Sequence, residues 1–229
     1  MKRTIPILGA ALFMAACSEP TAVNSSVEPA LRAPAATWSG ASFTFSGSGT
    51  TSTGYSLSPS NVTTSPSGEA FLGQFTNQNV TLQVPAGASN IHLSFNLYII
   101  GTWDGYGGKK YGTDSWSISA TCVGSTRVLN SFTTDFSNKV TTKQHYPNAS
   151  TGALNPGLSN VATTNALGFQ VGAVHGSGSA NDAEYLLTFD VAASSCSNGV
   201  NIVFKSPSQQ IQSVTDESWG LDNIVVSGS

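Results

Sequence analysis

Ile91-His92-Leu93-Ser94-Phe95-Asn96-Leu97-Tyr98-Ile99 sets five apolar side chains at alternate positions, with His92, Ser94 and Asn96 between them. A period of two is the pattern of a strand with one face in a core and the other in water. The same alternation recurs outward in both directions. It appears in Phe43 and Phe45, in Val80, Leu82 and Val84, and in Trp116, Ile118, Ala120 and Cys122 against Ser115, Ser117, Ser119 and Thr121. Further along come Tyr185, Leu187, Phe189 and Val191, then Val200, Ile202 and Phe204, then a last strand over Leu221 to Val226. Gly, Asn, Ser and Pro clusters separate these runs, and no segment longer than about ten residues keeps a 3.6 period. The pattern predicts an all-β protein: an antiparallel two-sheet β-sandwich of jelly-roll type. Without an internal repeat, a single domain over residues 37–229 accounts for it.

Composition narrows the class. Of 229 residues only 9% are charged, against roughly 25% in an average soluble protein, while Ser and Thr make up about a quarter of the chain. So few charges exclude a coiled coil, whose seam needs flanking Glu and Lys, and a nucleic-acid binder, which needs a basic patch. A hydrophobic content of 39% excludes disorder by composition.

Lys2 and Arg3 precede an apolar run from Ile5 to Ala16, of signal-peptide length and too short to cross a hydrocarbon core of ~30 Å. The run ends in Met14-Ala15-Ala16-Cys17, which resembles the lipobox of bacterial lipoproteins. That resemblance implies removal of residues 1–16, a lipid on Cys17, and attachment to a membrane of the bacterial cell envelope, at the outer membrane or cell surface. Residues 17–36 carry Pro20, Pro29 and Pro34 among small side chains and read as a flexible tether. Cys122 and Cys196 remain, an even pair in an oxidising compartment, and a disulfide between them is expected.

Two stretches break the sparse-charge background. Ile100 to Trp116 holds Asp104, Asp114, Lys109, Lys110 and four aromatics, and Asp216, Glu217 and Asp222 fall within seven residues of one another near the last strand. Gathered carboxylates repel unless a cation or N–H donors neutralise them, and Ca²⁺ prefers 6–8 hard oxygens beside flexible loops. Asp104, Glu217 and Asp222, with Asp114 and Asn223, are therefore expected to surround one structural Ca²⁺, the alternative being that each acid caps a turn. Tyr106 and Tyr111, flanked by glycines, and Trp103 are candidate surfaces for stacking on a sugar ring, whereas Trp116 and Trp219 are expected in the core.

Phe95 to Ile100 followed by Trp103-Asp104-Gly105, then Asp135-Phe136-Ser137-Asn138, then Asp216-Glu217-Ser218-Trp219-Gly220-Leu221-Asp222-Asn223-Ile224 resembles a recurring domain of bacterial exported proteins. The ending is similar to the last strand of MAM-type and other concanavalin A-like jelly rolls. The likeness runs from Phe71 onward and implies a sandwich fold, with a structural Ca²⁺ ligand at Asp222. It implies no catalytic residue. The Cys122/Cys196 pair, and a lipobox in place of a sorting tail, depart from the usual pattern.

These observations favour a non-enzymatic, lipid-anchored domain that binds glycan or another surface component. The alternatives are a jelly-roll glycoside hydrolase or lyase using Asp182 and Glu184, which share one strand face, and a purely structural adhesion domain. His92, His145 and His175 lack the spacing of a zinc site, and Gly105, Gly107 and Gly108 before Lys109 lack the strand-to-helix setting of a phosphate loop. Because one cysteine carries all the lipid, Cys17→Ser should move the protein from the membrane fraction to the soluble fraction. Continued palmitate labelling of that variant would overturn the lipobox assignment.

Overall fold

The computed structural model describes residues 38–45, 54–107, 112–170, 178–207 and 213–229. Cys17, the tether and Tyr111 lie outside them. The chain divides into two units, Met1–Ala35 and Ala36–Ser229, and all described residues belong to the second. Its strands are β1 (Ala41–Phe43), β2 (Ser56–Ser58), β3 (Val62–Thr64), β4 (Ala70–Phe75), β5 (Val80–Val84), β6 (Asn90–Gly101) and β7 (Ser115–Cys122). They continue with β8 (Val128–Asp135), β9 (Lys143–Gln144), β10 (Asn155–Pro156), β11 (Thr163–Thr164), β12 (Asp182–Ala192), β13 (Val200–Lys205) and β14 (Glu217–Gly228).

Two antiparallel sheets pack face to face. The first runs β11-β12-β6-β14-β4-β3, with β1 also on β14, and the second runs β2-β5-β13-β7-β8. The chain passes back and forth between them, from β4 to β5 to β6 to β7 and again from β12 to β13 to β14, which is how a jelly roll is wound. The stretch that decides the fold is central. β6 pairs with β12 from Asn90 to Ile100 and with β14 on its other edge, so Ile91, Leu93, Phe95, Leu97 and Ile99 are all driven into the core. There Phe95 meets Trp116 and Phe204 at ring-centroid distances of 5.9 and 5.3 Å, and Trp219 joins Trp116 at 6.4 Å.

The outer face of the first sheet is not wholly in water. Tyr98 and Ile100, on the expected polar side of β6, are buried in a second small cluster with Phe71, Leu167 and Phe169. Leu167 belongs to a loop held down by Asp182, whose carboxylate accepts its N–H at 3.1 Å. β14 carries a bulge between Asp222 and Val225, where Asn223 takes a φ of 48°. Asp222 closes that bulge by accepting the N–H groups of Asn223, at 2.7 Å, and of Phe45.

Cys122 ends β7 beside Val200 of β13, and Cys196 sits in the turn that leads into β13. Their Cα atoms are 5.1 Å apart and the disulfide is formed. With 74 positions between the cysteines, the chain-entropy model assigns the bridge about 4 kcal/mol. Replacing both cysteines by Ala should therefore lower the melting temperature by roughly 10 °C. Calorimetry of the two proteins checks this, and equal melting temperatures would overturn it.

Candidate functional site

The chemistry gathers at the end of the sandwich where β6 stops. Gly101 has a φ of +95°, and a Cβ there would stand 1.8 Å from the Asp216 carbonyl oxygen, so only glycine permits this approach. Thr102 then bonds Asp216 twice, N–H to carbonyl at 2.9 Å and hydroxyl to carboxylate at 2.7 Å. Trp103, a candidate for sugar stacking, turns inward instead. It is fully buried and its indole N–H donates to the Ser218 carbonyl at 3.0 Å. A side chain so apolar at a strand end gains more by filling the core than by facing solvent.

The loop beyond is folded on Asp114, whose carboxylate accepts the Asp104 N–H at 2.5 Å. Gly105, at φ +68°, lies so close to Lys143 that a Cβ would fall 2.4 Å from its carbonyl oxygen. That contact fixes the next residue: the Tyr106 N–H donates to the same carbonyl at 2.7 Å. Tyr106 stands out from the frame, 48% exposed, with its ring edge-on to the His145 imidazole at 5.2 Å. Beneath it, fully buried Asp135 accepts the His145 backbone N–H at 2.9 Å on one oxygen and pairs with Nδ1 on the other.

The buried acids at this end are crowded. Burial, and to a lesser degree the neighbouring Asp104 and Asp135 charges, pushes Asp114 up to about 7 against the hydrogen bonds it accepts. Burial, then the charges of Asp114, Asp216 and Asp104, pushes Glu217 up to about 8. One Glu217 carboxylate oxygen, Oε2, is buried without a hydrogen-bond partner. Both acids therefore hold protons near neutral pH.

The expected cation ligands separate into two groups. Asp104, Asp114 and Glu217 act on one another electrostatically, but Asp222 lies five residues further along β14, ~17 Å away, and an odd number of residues puts it on the opposite face. Its acidic neighbours are Glu69 and Glu184, and burial leads the causes that raise it. Asn223, exposed on the bulge, goes with it. The single sphere joining the long loop to the last strand is thus not assembled. Among the described residues no group of three or more His, Cys, Asp or Glu is arranged to hold a metal ion. Asp182 and Glu184 do share a face, yet Asp182 is fully buried under its loop and Glu184 accepts the Asn96 amide at 2.6 Å. The Asp135–His145 pair escaped the sequence because ten positions separate the two and no spacing rule links them.

Compared with models of known protein families and with curated proteins, the chain matches none.

The raised acids fix the sign of a pH effect. Unfolded, Asp114 and Glu217 ionise near pH 4. Folded, they keep protons to about 7 and 8, so the native state binds more protons in between and stability falls as pH rises across that window. The melting temperature should decline from pH 5 to pH 9. Glu217→Gln should flatten much of the decline and raise the melting temperature at pH 8. A parallel decline in the variant would overturn this. A rise on adding Ca²⁺ at pH 8 that the variant loses would instead mark a cation at these acids.

Proposed function

We propose that the chain is a lipid-anchored protein of the bacterial cell envelope whose β-sandwich binds glycan or another surface component without catalysing a reaction. The observation that carries this reading is Tyr106. Among the described residues it is the most exposed aromatic side chain, while Trp103, Trp116 and Trp219 are fully buried. Its backbone is clamped by Gly105 and Lys143 and its ring rests on a histidine that is itself pinned to Asp135. An aromatic held this firmly loses little freedom on binding, and its apolar face suits the C–H face of a pyranose ring. The lipobox at Cys17 supports the same setting, since a tethered domain at a surface meets polysaccharide first. The hydrolase alternative has less support, because the Asp182 carboxylate is committed to the Leu167 loop.

A glycan array probed with the mature domain tests the proposal. Binding should be seen and should fall at least tenfold in Tyr106→Ala, with the melting temperature unchanged because the side chain is exposed. Absence of binding, or equal binding by the variant, would overturn it.

A further inference from the structure

We propose that His145 is the second ligand contact of this site, its Nε2 meeting a hydroxyl of a sugar whose ring lies against Tyr106. The inference rests on the glycan-binding reading and names the polar half of that site.

Every other polar group of His145 is already engaged. The backbone N–H donates to Asp135 Oδ1, Nδ1 pairs with Asp135 Oδ2, and the carbonyl accepts both the Asn148 N–H at 2.7 Å and the Asn155 amide at 2.9 Å. Nε2 alone takes no hydrogen bond from the described residues. The His145 side chain keeps 10% of its surface open while Asp135 keeps none. The imidazole therefore keeps a small opening beside the exposed ring of Tyr106, with Nε2 as its uncommitted nitrogen among the described residues.

A carboxylate bonded to Nδ1 fixes the ring's orientation and leaves Nε2 as the working nitrogen, the arrangement seen wherever a histidine must present a defined polar point. A purely structural pair would need no such opening. Burying the Asp135 carboxyl costs desolvation that its two bonds to His145 offset, and those bonds hold the imidazole in one orientation. An aromatic face with one fixed donor or acceptor beside it matches a pyranose, whose ring carbons offer an apolar patch edged by hydroxyls. A lone apolar ligand would leave Nε2 unsatisfied.

The test uses protein labelled with ¹⁵N at histidine and the methyl glycosides of glucose, galactose, mannose and N-acetylglucosamine at millimolar concentration. In long-range ¹H–¹⁵N spectra at least one glycoside should shift His145 Nε2 and leave His92 unmoved. Affinity for that glycoside should fall roughly tenfold in His145→Ala, the worth of about one hydrogen bond, and be partly restored in His145→Gln. If Tyr106→Ala loses the glycoside while His145→Ala keeps it and Nε2 does not move, the inference is overturned and the binding reading stands. If no glycoside shifts any resonance of the wild-type protein, both are overturned. The spectra of the wild-type protein decide the matter even if a histidine variant fails to fold.

Discussion

The closure of two sheets over the rings of Phe95, Trp116, Phe204 and Trp219 is the interaction on which the rest depends. Each ring contributes about 1.5–3 kcal/mol by leaving water, and together they set the separation of the inward faces. β6 supplies one wall of this packing and is paired along both edges, so it cannot shift register without turning its five apolar residues outward. Trp103 extends the same core toward the loop end, and its bond to Ser218 ties the long loop to β14. The candidate site is therefore built where β6 and β14 leave this core.

That position explains the electrostatics. Loops folded onto a strand end bring their backbone N–H groups with them, and Asp104, Asp114 and Asp135 are drawn in to satisfy or flank those groups. Burial and the charges of neighbouring acids push Asp114 and Glu217 up, so their crowding is relieved by protons held toward neutral pH. Asp135 is relieved differently, through His145. Tyr106 stands half exposed beside these polar groups, and that contrast of an exposed ring against an oriented imidazole makes the loop end the best candidate for recognition.

The outer face of the first sheet shows the same economy at a lower level. Asp182 anchors the loop whose Leu167 and Phe169 cover Phe71, Tyr98 and Ile100, and Asp222 anchors the bulge through Asn223 and Phe45. Both carboxylates accept backbone N–H groups, Asp182 at the start of β12 and Asp222 at the bulge within β14.

The sequence by itself determined the sandwich, because alternation of apolar residues is a local property and the inward rows Ile91–Ile99, Tyr185–Val191 and Val200–Phe204 lie buried as their pattern required. It also determined that Cys122 and Cys196 could meet, since both stand next to inward rows. It did not reveal β4, where Phe71 and Leu72 are buried on opposite faces and alternation vanishes, nor β8, an edge strand with little to bury. The site was half legible. Tyr106, Asp104, Asp114 and Glu217 lie in the stretches that composition marked, but whether Trp103 faced solvent, and on which side of β14 Asp222 fell, depended on register. Only the tertiary structure decided those questions and brought His145 onto Asp135, because hydrogen-bond partners and burial are set by neighbours distant in the chain, and no local period records them.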